Sequence, residues 1–88
     1  MIVVFDKSFS KSLGKIKDST VLNNLESIII FCESAKNIKT IPNLKKLKGY
    51  RNYYRIKSGP YRIGLEIEYD TLRFITVLHR KDIYKKFP

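Results

Sequence analysis

Arg55 and Lys57 stand two residues apart just before Ser58-Gly59-Pro60, and Arg62 follows two residues after it. Side chains two apart in a strand share a face, so a hairpin turning at residues 58–60 brings all three cations to one front. Cations gathered on one open face are a poor stability device and a good way to hold a phosphodiester. RNA carries its own nucleophile, the 2′-OH. Its cleavage therefore needs a base for that hydroxyl, cations for the extra charge on phosphorus, and an acid for the leaving 5′-oxygen. Arg55 and Arg62 suit phosphate oxygens because the guanidinium is a planar fork. Lys57 offers an amine, Arg80 a further cation, and Tyr84 a ring that can stack on a base or orient a proton. His79, beside Arg80, would point to the opposite face of a shared strand and is read as structural. A single histidine and a single cysteine cannot build a zinc site, and no Gly-rich phosphate loop or Ser-His-Asp set is present. Neither metal nor cofactor is expected.

The hairpin that must carry these residues is the clearest pattern in the chain. Tyr54 and Ile56 alternate with Arg55 and Lys57; Tyr61, Ile63, Leu65, Ile67 and Tyr69 alternate with Arg62, Gly64, Glu66 and Glu68. Gly59 permits positive φ in the loop, and Pro60 opens the second strand where a missing N–H matters least. Residues 72–78, apolar in both phases, predict a further strand with both faces covered. The ending from His79 to Pro88 reads as one helical turn.

Ahead of the hairpin, residues 2–5 are a β-branched run read as a strand buried on both sides. Asp6 or Ser8 can cap a first helix whose stripe is Phe9, Leu13 and Ile16, with Gly14 in its middle. Asp18-Ser19-Thr20 offers a second cap, and Val21, Leu22, Leu25, Ile28, Ile29 and Cys32 form the buried face of a helix over residues 21–34. A three-residue join makes these an antiparallel pair. Residues 35–52, rich in lysine with Asn37, Pro42, Asn43 and Gly49, predict a mostly irregular connector pinned by Ile41, Leu44 and Leu47. The predicted fold is a single α+β domain spanning residues 1–88: an N-terminal strand, then a helical hairpin packed on one face of an antiparallel β-meander. Its core is Leu22, Leu25, Ile29, Ile56, Ile63, Leu65, Phe74 and Val77.

The charge is uneven. Eighteen basic against eight acidic side chains give +10 over 88 residues. Residues 1–42 hold 6 basic and 4 acidic groups, net +2, and residues 43–88 hold 12 and 4, net +8. The basic half suits nucleic acid, with Lys45, Lys46, Lys48, Arg51, Lys81 and Lys85 as the wider RNA- or ribosome-binding set. Cys32, alone and in an apolar stretch, reads as a buried inert thiol. The opening apolar run is too short for a signal peptide and no run approaches a membrane span, so a cytoplasmic location is expected.

The ordered set Leu47-Lys48-Gly49, Tyr54-Arg55-Ile56-Lys57, Gly59-Pro60-Tyr61-Arg62, Val77-Leu78-His79-Arg80 and Tyr84 resembles the RelE/ParE superfamily of toxins, most closely its RelE-like branch. The resemblance implies ribosome-dependent mRNA cleavage in the A site, leaving a 2′,3′-cyclic phosphate. It implies Lys57 as base, Arg80 as acid, Arg62 as transition-state clamp, and Arg55 and Tyr84 as further site residues. It also implies a small RelB-like antitoxin as partner, besides ribosome and mRNA. Arg55 stands where the best-known RelE toxins have lysine, and the Arg80-to-Tyr84 spacing is shorter than theirs. Two other readings stay open: a ParE-like inhibitor of DNA gyrase on the same scaffold, and a basic nucleic-acid-binding module without catalysis.

Overall fold

The computed structural model describes residues 1–88. In chain order these form β1 (Ile2–Phe5), α1 (Lys7–Leu13), α2 (Ser19–Ser34), a 3-10 turn (Ile38–Thr40), β2 (Leu44–Lys46), β3 (Tyr53–Ser58), β4 (Tyr61–Glu68), β5 (Thr71–His79) and α3 (Arg80–Lys86). The sheet runs β1-β5-β4-β3-β2. The meander β3-β4-β5 is antiparallel as expected, and β1 joins it parallel to β5. The fold is α+β, with a five-stranded mixed sheet. No helix is long and apolar enough to cross a membrane.

β5 carries a bulge that explains its two apolar phases. Gly64 faces Thr76 but Leu65 faces Phe74, so Ile75 has no partner and the strand changes phase there. Leu72 and Phe74 before the bulge, and Val77 after it, thereby reach the same core. A bulge leaves backbone groups unpaired, and α1 supplies partners for them. The Ser12 hydroxyl accepts from the Val77 N–H at 3.0 Å, and the Ser8 hydroxyl, one helical turn earlier, lies 2.5 Å from the Ile75 carbonyl oxygen.

The core between the α1/α2 side and the sheet contains Phe9, Leu25, Cys32, Ile56, Ile63, Leu65, Leu72, Phe74 and Val77. Asp18 caps α2, accepting from the Thr20 and Val21 N–H groups at 2.9 and 3.4 Å. At the other end of α2, the Met1 nitrogen donates to the carbonyls of Cys32, Glu33 and Ala35.

Several expectations need correction. Strand β1 is an edge, not buried on both sides: Ile2 and Phe5 are 52% and 50% exposed. A short apolar run has the same composition at an edge as in a centre. Gly14 ends α1 instead of sitting within it, and Ile16 is buried from the loop beyond. Leu22 and Ile29 are only half-buried, lining an open apolar groove with Leu13 and Ile30. Tyr69 leaves the strand for the β4–β5 turn, where it is almost fully exposed at φ 56°. The connector is partly ordered: β2 pairs antiparallel with β3, Lys45 opposite Arg55. Three residues are too few to show an alternation.

The last correction concerns the C-terminus. It is a seven-residue helix on the sheet face opposite the main core, so helices cover both faces. Ile83 and Phe87, one turn apart, form its buried stripe. The Phe87 ring lies over Gly64, where an added Cβ would fall 2.7 Å from it, and meets Tyr53 edge-on at 5.5 Å.

Two measurements check the core. Leu25→Ala should cost about 2–5 kcal/mol in denaturant unfolding, and Leu22→Ala clearly less; equal costs would place α2 with the wrong face inward. Cys32 is fully buried, and that burial pushes its thiol from 9.0 up to about 11, the Met1 ammonium pulling it back and Glu33 adding to the rise. The folded protein therefore holds this proton more tightly than the unfolded chain. The resulting stabilisation is complete below pH 9 and is lost as pH rises from 9.0 to about 11. Iodoacetamide at pH 8 should label Cys32 at least ~100-fold more slowly in native than in denatured protein. Comparable rates would show an accessible thiol.

Candidate nucleic-acid interface

Strands β2, β3 and β4 place the cations in rows across the sheet. Lys45 lies opposite Arg55 and Arg55 opposite Gly64; Lys57 lies opposite Arg62. Residues directly opposite in an antiparallel pair share a face, so these side chains emerge on the α3 side. Gly64, without a side chain, leaves its place in the row to Phe87.

Docking of Ile83 and Phe87 then fixes where the rest of α3 points. Arg80 and Tyr84 are also four apart and form the neighbouring stripe of the helix. Tyr84 comes to rest with the Arg55 guanidinium 4.8 Å from its ring centroid. The result is an open groove of about 380 Å³, walled by Asn43, Leu44, Lys45, Arg55, Lys57, Arg62 and Tyr84. Tyr84 is 66% exposed, so one face is covered by Arg55 and ring area remains for a ligand.

The groove is positively charged without internal compensation. The chain's ion pair, Arg73 with Glu66 at 3.9 Å, lies elsewhere on the sheet, and Arg55, Lys57, Arg62 and Arg80 have no carboxylate partner. Arg62 is nevertheless held in place. Its Nη1 donates to the carbonyls of Gly59 and Tyr61 at 2.8 and 2.9 Å, which leaves Nε and Nη2 for an anion.

Of the five proposed catalytic residues, the fold brings Arg55, Lys57, Arg62 and Tyr84 together. Arg80 is exposed at the start of α3 and does not wall the groove. Its backbone N–H donates to the Pro60 carbonyl at 2.8 Å, pinning α3 to the hairpin turn beside the site. Of the wider basic set Lys45 lines the groove, while Lys46, Lys48, Arg51, Lys81 and Lys85 are exposed outside it. His79 has a structural place: its Nδ1 accepts from the Lys81 N–H at 3.2 Å as the cap of α3, and its ring meets Tyr61 edge-on. Asn43 and Leu44 were missed. The signal available was Pro42-Asn43, a turn dipeptide directly before a basic run.

Comparison with known proteins finds similarity over nearly the whole chain. Residues 3–84 match a family model described as the ParE toxin of a type II toxin–antitoxin system. Over 89 residues, covering the whole of both chains, the sequence is 43% identical to Toxin RelE3 of Methanocaldococcus jannaschii. The crystal structure of a RelB–RelE antitoxin–toxin complex from Methanococcus jannaschii matches with a TM-score of 0.83 and 41% identity, over 97% of this chain and 99% of that one. An archaeal RelE–RelB complex from Pyrococcus horikoshii shares the fold at a TM-score of 0.72 and 17% identity, over 90% and 93% of the two chains.

The dependence of the groove on α3 is testable through Gly64. Gly64→Ala would drive a Cβ into the Phe87 ring and lift α3 while leaving the main core intact. Hydrogen exchange should show the α3 amides losing protection while those of β3–β5 keep theirs. Uniform loss would mean that α3 and the core unfold together.

Proposed function

Since the chain belongs to the RelE/ParE superfamily of type II toxin–antitoxin toxins, we propose that its basic groove is the active site of a ribosome-dependent mRNA endoribonuclease. The observation that carries this reading is the convergence of Arg55, Lys57, Arg62 and Tyr84 on one groove free of carboxylates. Tyr84 stacks on a base and so presents the adjoining phosphodiester to the cations. Lys57 takes the proton of the 2′-OH as that oxygen bonds to phosphorus. Arg55 and the free nitrogens of Arg62 hold the non-bridging oxygens, whose charge rises in the transition state. The bond from phosphorus to the 5′-oxygen breaks, Arg80 delivers a proton to it, and the products are a 2′,3′-cyclic phosphate and a 5′-OH. Lys45 in the groove wall and the exposed Lys46, Lys48, Arg51, Lys81 and Lys85 around it spread ribosome and RNA binding over a wider surface. Ribosomes place the site of action in the cytoplasm.

The partner is a small RelB-like antitoxin, by analogy with the RelB–RelE complexes to which the chain is similar. Helix α2 suits the apolar part of such a contact. It has no lysine or arginine, carries Glu26 and Glu33, and exposes Ile30 and Phe31. The matching family model is described as a ParE toxin, and the resemblance to ParE-like toxins keeps a second reading open, inhibition of DNA gyrase. Such a toxin would act through a protein surface and would not depend on Lys57 or Arg62.

Mapping mRNA 5′ ends on translating ribosomes decides between them, with gyrase-dependent DNA breakage measured in parallel. Cuts in the A site support the nuclease, DNA breaks support the gyrase reading, and neither outcome leaves a binding module. Arg62→Ala and Arg80→Ala should each lower cleavage at least ~100-fold. Arg80→Ala should leave the melting temperature unchanged. Arg62→Ala also loses its two turn hydrogen bonds, a part-exposed contribution of about 1 kcal/mol. Normal cleavage by both variants would remove the catalytic assignment.

A further inference from the structure

One wall of the groove has no part in the chemistry above. Asn43 sits just ahead of β2 at φ 63°, the left-handed region that glycine occupies most cheaply and asparagine tolerates. Its carbonyl accepts from the Lys57 N–H at 3.3 Å, which fixes it to the strand bearing the proposed base. Its side-chain amide is exposed at the groove and enters none of the chain's side-chain hydrogen bonds.

The chemistry of the other walls makes this amide distinctive. Lys45, Arg55, Lys57 and Arg62 present donors only. Engaged with phosphates, as proposed above, such groups carry no sequence information. Tyr84 offers a stacking face, which every base satisfies. Asn43 alone sets an amide donor and acceptor side by side, the pattern that pairs with the edge of a nucleobase. We propose that Asn43 reads the base of the nucleotide held in the groove and so sets the base preference of the toxin. The inference rests on the RNA-binding reading above and adds to it a residue for selectivity.

Asn43→Gly removes the amide and keeps a residue at ease at φ 63°. Asn43→Asp keeps the shape and the backbone preference but replaces the donor with an acceptor. The probes are four fluorescent RNA trinucleotides that differ only in the central base, 2′-deoxy at the cleavable positions so that nothing is cut. By anisotropy at low salt, the native protein should separate the tightest from the weakest by ~10-fold, within the range of one bidentate base contact. In Asn43→Gly the four should converge to within about twofold, and Asn43→Asp should lose or reorder the preference. The salt dependence, set by the cations, should be common to the native protein and Asn43→Gly, whereas the added negative charge of Asn43→Asp should weaken binding of all four RNAs. Thermal melting verifies that each variant is folded. Equal binding of all four trinucleotides by the native protein, or an unchanged preference in both variants, overturns the proposal. Because these RNAs cannot be cleaved, base-selective binding with no cutting on ribosomes would instead remove the nuclease reading and leave this one standing.

Discussion

Phe87 over Gly64 is the contact on which the geometry of the groove depends. An aromatic ring can lie flat on a sheet only where a strand lacks a side chain, and Gly64 provides that gap in the middle of β4. With Ile83 it anchors a helix of only seven residues, too short to be stable by itself. Helical spacing then places Tyr84 against Arg55. Tyr53 completes the arrangement by closing the edge of the Phe87 ring. One apolar contact on the front of the sheet thus fixes an aromatic and a cation that are far apart in the chain.

The groove works against that contact. Lys57 opposite Arg62, and Lys45 opposite Arg55, are like-charge cross-strand pairs, each destabilising by a few tenths of a kcal/mol to about 1 kcal/mol. A sheet serving stability alone would place carboxylates there, as it does with Glu66 and Arg73. The main core on the other face carries the stability instead, its largest fully buried side chains including Phe9, Phe74, Leu25 and Ile63. Binding a phosphate would relieve the repulsion, so strain in the free protein becomes selectivity for a polyanion.

The parts legible in the sequence are those with a long enough period. The alternation across β3 and β4 extends over a dozen residues, and it identified the hairpin, its two faces and the three groove cations. The α2 stripe was legible for the same reason, and of the three capping candidates Asp18-Ser19-Thr20 the structure uses Asp18. What was not legible depends on short elements and tertiary choices. Strand β2 has three residues and two lysines, so it looks like a loop. Helix α3 buries two side chains, too few to show which sheet face they cover. Leu22 and Ile29 fit the stripe, yet they line a groove that stays open, a tertiary outcome the stripe does not show. Asn43 gives no local sign of its position beside Lys57, which arises only when β2 pairs with β3.

Arginine at position 55, where better-known relatives carry lysine, has a physical reason in this arrangement. A guanidinium is planar, so it can cover the Tyr84 ring and still present N–H groups along its edge. An ammonium in the same place would attract the ring but could not lie flat on it. In the proposed mechanism Arg55 therefore has two jobs: it covers the Tyr84 ring that would orient a base, and it would face the phosphate next to it. Already protonated, its guanidinium cannot take the proton of the 2′-OH. Together with Arg62, which is tied to the hairpin turn, it forms a fixed positive frame. Proton acceptance within the groove then falls to an amine. Lys57 stands between the two arginines, whereas Lys45 lies on the edge strand beyond Arg55. The proposed base is thus the amine that both proposed phosphate-gripping arginines flank.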